Sequence, residues 1–258
     1  MVVSEPDLGR VELAILVALT LEAEPLVASM AESVRLRAGR RTITVGTLGS
    51  RRVAVLAAGV GRDAARLGVQ MLVEGHRPGA LLAAGLCGGL DPGLPHGRVL
   101  LADEVVLAEG RPFVPDPLTG ILEPPDRPEE SAEAGEPPIS RGRVVTSDSV
   151  VATPQAKRDL RAECGAAAVD MESWWIAEAA TEAEVPWASL RVVSDTAAER
   201  IPDDVAALAA TAHPARLAGA AMRLLFRRPA AIGDFAELRE RACQAADSLA
   251  AAMVRLLR

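Results

Sequence analysis

Short apolar runs that alternate with helical stretches constrain this chain more than any other feature of it. The runs ELAILVALT, RRVAVLAAGV, GALLAAGL, GRVLLADEVV, RVVTSD, AAAVDME and PWASLRVVSD are rich in Val, Leu and Ala and are bounded by Gly, Pro or Asp. Each has the length and composition of a buried strand. Between several of them, apolar residues recur at helical spacing over 22–30, 62–74, 154–163 and 172–183. Alternating β and α predicts an α/β fold, a mostly parallel, twisted central sheet covered by helices on both faces. With 258 residues, 50% of them hydrophobic, the chain can bury one sizeable core, so residues 1–258 are expected to form a single domain.

Two stretches depart from the alternation. Residues 109–142 are crowded with Pro, Gly and acids and cannot bury enough apolar surface to order by themselves; they are expected to form a partly mobile surface excursion. From 203 to 258 the pattern becomes Ala, Leu and Arg at helical spacing, broken by Pro214 and Pro229, which predicts a helical C-terminal extension whose last helix runs from about 232 to 257.

Charge and cysteine usage exclude several classes. The net charge is −7, and the basic residues, nearly all arginine with Lys157 the one lysine, are spread along the chain, which argues against a nucleic-acid footprint. Cys87, Cys164 and Cys243 are too few and scattered for a disulfide framework or a zinc site, and their odd number suits a reducing compartment, so a cytoplasmic setting is expected, and no metal or other cofactor. The first residues show neither a basic start nor a long apolar run, so no signal peptide or membrane span is expected there. His76, His96 and His213 have no metal-ligand spacing and are expected to be solvated.

Chemistry concentrates where strands end. AVDMES at 168–173 and VVSDTA at 192–197 are apolar strands that terminate in carboxylates, and α/β sheets bind ligands at the C-terminal ends of their strands. A carboxylate at 170 or 172 can accept two hydrogen bonds from a vicinal diol such as ribose, or can cap the helix that follows. GVGRDAA at 59–65 follows a strand and opens a helix; its amides and Arg62 can hold an anion, or the glycines can form a tight turn. A third strand is expected to end in the glycine-rich bend around Gly85 and Leu86, where missing side chains allow close approach of a ligand to the backbone. Cys87, within that bend, reads as a small buried residue.

LxxEAE after the first strand, the GxGxxxA turn, GLCGGL, VDMES and VVSDTA occur together, in this order. The combination resembles the purine nucleoside phosphorylase and uridine phosphorylase superfamily, especially its methylthioadenosine/S-adenosylhomocysteine nucleosidase branch, over most of 12–196. VDMES, the short middle region and the Ala/Arg-rich tail look most like the group called hopanoid-associated phosphorylases. The resemblance implies the three-layer fold of that superfamily and cleavage of the N-glycosidic bond of an adenosine-type nucleoside. It places Asp195 as the acid that protonates N7 of the base, which must hold its proton near neutral pH in a site closed off from water. Met171 and Glu172 fall on the ribose-contacting pair, Val150, Val151 and Ser194 on the surroundings of the base, and Glu22 on the glutamate that activates water. The match of Ala18 to the family's strand-end alanine favours Glu22 over Glu24 for that last role. The resemblance also implies a homo-oligomer, a dimer in the first instance.

The chain departs from the family pattern at positions that select the nucleophile. Phosphorylases of the superfamily carry an arginine and a serine for phosphate where this chain has Ala83 and Leu86, which leaves Gly59, Gly61 and Arg62 as candidate phosphate donors. Hydrolysis is therefore expected over phosphorolysis, with Gly61, Arg62, Gly85 and Leu86 bounding the anion or water site. A noncatalytic nucleoside-binding module is the reading from another class, since Leu86 also removes a serine of the nucleosidases. Val150 replaces an aromatic that stacks on the base, and Trp174 and Trp175 read as packing residues. The arginine-bearing tail, with Arg216, Arg223, Arg227, Arg228, Arg239, Arg241, Arg255 and Arg258, reads as a helix packed on the sheet; peripheral contact with a membrane surface is its second reading.

Overall fold

The computed structural model describes residues 9–107, 112–116, 118, 121–122, 139–202 and 231–257. A strand made only of apolar residues must be covered on both faces, and LAILV, β1 (Leu13–Val17), lies fully buried between two parallel neighbours, β4 (Arg51–Ala57) and β5 (Ala80–Gly89). On the far side of β4 the sheet ends in a hairpin, β2 (Ala31–Ala38) and β3 (Arg41–Leu48), paired antiparallel. These two strands are absent from the sequence expectation. Polar and apolar residues alternate in RTITVGTL, the signal of a half-buried strand, while the mostly exposed edge strand AESVRLRA carries too little apolar content to stand out.

On the other side of β1, the sheet closes on itself. β5 pairs with β8 (Ala168–Asp170), β8 with β7 (Ile139–Thr146), β7 with β6 (Val99–Leu107), β6 with β9 (Trp187–Asp195), and β9 returns to pair with β5. The sheet is therefore mixed, with parallel pairings only narrowly ahead, and half of it is a closed five-stranded ring. Helices α1 (Thr20–Ala28), α2 (Arg62–His76), α3 (Pro154–Cys164) and α4 (Ser173–Glu182) lie near their expected bounds. Thr153 starts α3 by accepting the Ala156 amide, with Pro154 in the first turn, and Gly165 ends it in the left-handed conformation at φ 67°.

The C-terminal helix, α5 (Ala231–Leu256), belongs to the core. Ala245, Leu249, Ala252, Met253 and Leu256 are buried, and the helix packs on α1, β5, β6 and β9. Its end is pinned at the β3–β4 turn, where the Ser50 amide and hydroxyl both donate to the Leu257 carbonyl, at 2.9 and 3.0 Å. Residues 203–230, including His213 and the arginines at 216, 223, 227 and 228, lie outside the described residues. Among the described residues, no helix is long and apolar enough to cross a membrane.

The described part of the 109–142 excursion is docked: Phe113 exchanges both backbone hydrogen bonds with Val105 and packs edge-on against Trp174 and Trp187, and Leu118 and Leu122 are buried. One expectation, that His76 is solvated, is corrected here. His76 is buried at the end of α2, and its carbonyl accepts the Val11 amide.

Because α5 fills the core, Leu249→Ala is expected to cost about 2–5 kcal/mol of stability, the range for truncating a fully buried leucine. Chemical denaturation measures it; a cost below about 0.5 kcal/mol would place the helix on the surface instead.

Candidate active site

The strand ends build one cavity of about 480 Å³. Its lining comes from Ala18 after β1, Val60 after β4, Leu86–Gly88 in β5, Ser149–Val151 after β7, Val169–Glu172 around β8, and Ser194 and Asp195 at the end of β9. Leu19, Leu21, Ile201 and, from α5, Leu238, Arg239 and Ala242 complete the wall. Of the residues anticipated from sequence, Glu22, Leu86, Val150, Val151, Met171, Glu172, Ser194 and Asp195 meet in this cavity. Gly61, Arg62 and Gly85 lie outside its lining, with Gly61 and Gly85 against the lining residues Glu172 and Glu22.

Glu22 is 2% exposed and held by two backbone amides, Leu86 to Oε1 at 2.8 Å and Leu19 to Oε2 at 2.7 Å. Burial raises its pKa, and the Leu86 and Leu19 amides and the Arg191 guanidinium draw it part of the way back. Glu24 carries no such contact and is exposed.

The two acids of VDMES divide the roles that were open between them. Asp170 caps α4: its Oδ2 accepts the Ser173 amide at 3.0 Å, its Oδ1 accepts the Thr146 hydroxyl at 2.7 Å, and it pairs with Arg191 Nη2 at 2.8 Å. Glu172 turns into the cavity and accepts the Gly61 amide at 2.8 Å. Its pKa is pushed up to about 8, first by burial and then by the Asp170 charge, with Arg191 and the Gly61 amide opposing.

The glycine-rich segment is part of β5 rather than a bend after it, and the groups that approach its backbone are side chains. A Cβ on Gly85 would stand 2.9 Å from both Glu22 Oε1 and Arg191 Nη1, and one on Gly88 would stand 3.1 Å from Asp195 Oδ2. Opposite this segment β9 carries a bulge: Cys87 pairs with Val193 and Gly88 with Asp195, which leaves Ser194 as the extra residue and re-aims Asp195. Cys87 is buried, and burial pushes its thiol far above the usual range, as expected of a packing residue.

The proposed anion turn is already engaged. The Gly61 amide serves Glu172, and the Arg62 guanidinium lies 4.4 Å over the Trp175 ring. Trp175 packs in the core, and Trp174 packs against it edge-on.

Two cations of the site are missing from the sequence reading. Arg191, 1% exposed, donates from Nε to Ser173 Oγ at 2.9 Å and sits between Asp170 and Glu22. Lys157, 0% exposed, donates to Asp195 Oδ2 at 2.5 Å. The enclosed Asp195 is thus paired with an ammonium instead of standing in apolar surroundings alone. An arginine inside the apolar run ASLRVVSD, and the solitary lysine of an arginine-rich chain, were the available signals. Among the described residues, no cluster of His, Cys, Asp and Glu is arranged to hold a metal ion.

A carboxyl whose pKa rises on folding keeps a proton that the unfolded chain has released, so stability falls as pH rises from the ordinary 4.5 through about 8. Glu172→Gln removes this penalty. Its melting temperature is expected to gain on the parent's progressively across that window, and thermal unfolding at both ends of it decides; a constant difference would reject the raised pKa. Gly85→Ala is expected to displace both Glu22 and Arg191 and to lower turnover at least about tenfold, the cost of disturbing positioned groups.

The sequence model of the family described as the phosphorylase superfamily matches residues 12–258. A 5′-methylthioadenosine/S-adenosylhomocysteine nucleosidase of Mycobacterium bovis is 27% identical over 186 residues, covering 59% of this chain and 72% of the relative. One from Haemophilus influenzae is 27% identical over 190 residues, covering 69% of this chain and 83% of the relative. The fold is similar to that of the Neisseria meningitidis nucleosidase of the same name, solved in complex with methylthio-immucillin-A, with a TM-score of 0.71, 21% identity and coverage of 95% and 97% of the two chains. The Colwellia psychrerythraea nucleosidase, solved with adenine, gives a TM-score of 0.71 at 19% identity, over 97% of each chain.

Proposed function

The chain belongs to the phosphorylase superfamily, and from that premise we propose that it hydrolyses the N-glycosidic bond of an adenosine-type nucleoside and releases the free base. The observation that carries this reading is the convergence of Glu22, Glu172 and Asp195, all buried, on one largely apolar cavity. Glu172 receives the 2′ and 3′ hydroxyls of ribose, with Met171 against the sugar. Asp195 delivers a proton to N7 as the base departs, between Val150, Val151 and Ser194. Glu22 takes the proton of a water that attacks C1′ from the opposite face. The transition state has oxocarbenium character, and carboxylates fixed around it lower its energy without reorganising.

Water suits this site better than phosphate. A dianion leaves water only for fixed positive charge and donors. Here the Leu86 and Gly61 amides are committed to Glu22 and Glu172, Arg62 lies over Trp175, and Arg191 is paired with Asp170. A phosphate would face two carboxylates instead.

The wall of Leu19, Leu21, Leu238 and Ala242 favours an apolar 5′ substituent. Leu19 is 37% exposed at the rim of the cavity, which fits a second copy of the chain completing that rim in a homodimer. Cys87, Cys164 and Cys243 are free thiols, consistent with a cytoplasmic setting.

Adenine release from adenosine, methylthioadenosine, S-adenosylhomocysteine and a lipid-linked adenosine, each with and without phosphate, tests the reading. Free sugar formed independently of phosphate is expected, and a phosphate-dependent sugar phosphate would replace hydrolysis by phosphorolysis. Asp195→Asn is expected to lower kcat by about 10²–10⁴-fold, the usual contribution of a general acid, while the fold persists. Turnover like the parent's would remove Asp195 from this role.

A further inference from the structure

Lys157 is the one lysine in the chain, and no part of its side chain reaches solvent. It lies in the first turn of α3, where the helix dipole disfavours a cation, so local helix stability does not account for it. Burial of an ammonium is costly unless every donor is used. The three donors of Nζ match three acceptors: Asp195 Oδ2 at 2.5 Å, the Thr196 carbonyl at 2.6 Å and the Glu199 carbonyl at 3.3 Å. Those two carbonyls are themselves held in place. Glu199 accepts the Thr196 amide at 2.7 Å and Arg241 Nη1 of α5 at 2.6 Å.

The arrangement bears on how the site can act as an acid. Asp195 Oδ2 is ion-paired with the ammonium at 2.5 Å, and Ser194 Oγ, with one proton to give, lies between Oδ1 at 2.8 Å and the Cys87 carbonyl at 3.2 Å. Within that ion pair Asp195 has no proton of its own to give to a leaving base. The labile proton nearest to it is on Lys157.

Resting on the hydrolase reading above, we propose that Lys157 is a positioning residue that acts through Asp195 and supplies the proton carried to the leaving purine. The balance is simple. Once substrate is bound, Nζ passes a proton to the Asp195 carboxylate and is left as a neutral amine; as C1′–N9 breaks, its electron pair passes into the purine ring, and N7 takes that proton from the Asp195 carboxyl, which returns to the carboxylate. The attacking water forms the new C1′–O bond and loses its proton to Glu22. After the products leave, solvent returns a proton to Lys157 and removes one from Glu22. Sealing the cavity with substrate favours the internal transfer, because neutral amine and carboxyl are less penalised than an ion pair in a site with little water.

A lysine that only tied the loop in place would affect every substrate alike, whereas one that supplies a proton matters only where the leaving group needs it. The test compares adenosine, or the best nucleoside of the panel, with p-nitrophenyl β-D-riboside, whose phenolate departs unprotonated. Lys157→Met and Lys157→Arg are both expected to lose about 10²–10⁴-fold in kcat on the nucleoside with KM little changed, and less than tenfold on the aryl riboside. The arginine keeps the ion pair but does not release its proton. The double variant Lys157→Met with Asp195→Asn, which leaves no unpaired buried charge, is expected to lose no more than Asp195→Asn alone and so reports the pairing if the single variants fail to fold. Equal losses on both substrates, nucleoside turnover like the parent's, or a further loss in the double variant would each overturn the assignment of Lys157 alone. A parent enzyme that cleaves neither substrate would overturn the hydrolase reading, and this inference with it.

Discussion

Buried charge is the constraint around which this molecule is arranged. Glu22, Asp170, Glu172 and Asp195 are all withdrawn from water at the ends of the strands, and two cations, Arg191 and Lys157, are withdrawn with them. An isolated carboxylate in such a place is prohibitively costly, so each needs a partner or a proton. The chain uses both solutions. Asp170 and Asp195 are ion-paired, at 2.8 and 2.5 Å, whereas Glu22 and Glu172 rely on backbone amides and are pushed toward their protonated forms. The site thus holds two anions fixed by cations and two acids whose charge is adjustable. Groups of the second kind are the ones suited to exchange protons with water or to accept sugar hydroxyls.

Backbone geometry makes that arrangement possible. Arg191 and Glu22 both press against Gly85, and Asp195 presses against Gly88, so the glycines of β5 provide room that any side chain would remove. The bulge at Ser194 turns the acid at the end of β9, and the cap supplied by Asp170 fixes the start of α4 so that Glu172 can leave the helix axis for the cavity. Strand, bulge and helix start each carry one functional group, and none of these groups depends on a long surface loop for its position.

How much of this was legible in the sequence depended on range. Buried strands such as LAILV announce themselves by composition, and helix α3 by its Thr-Pro start and Gly end, because local physics sets them. The β2–β3 hairpin was hidden because its edge strand β2 faces solvent and needs little apolar content, while β3, though mostly buried, interleaves threonines with its apolar residues. The acids at the ends of β8 and β9 were readable as site residues, since carboxylates that follow apolar strands have few structural uses. Which of Asp170 and Glu172 caps the helix was not readable, because either can do so and only the packing of Arg191 and Gly61 selects between them. Lys157 was visible only as a compositional oddity. Its partner lies 38 positions away, and nothing in α3 itself calls for a buried ammonium.

The ring formed by β5, β8, β7, β6 and β9 also governs how the chain reaches its folded state. β5 is complete by Gly89, but the strand that closes the ring on its free edge does not begin until Trp187. Pairings so far apart in sequence form late and slowly, because the loop entropy is lost before the contacts compensate for it. Until β9 arrives, the glycine-lined edge of β5 presents unpaired backbone groups on which another chain can add a strand. The segment that later accommodates the buried acids is therefore, during synthesis, a template for aggregation, and ring closure both assembles the site and removes that hazard.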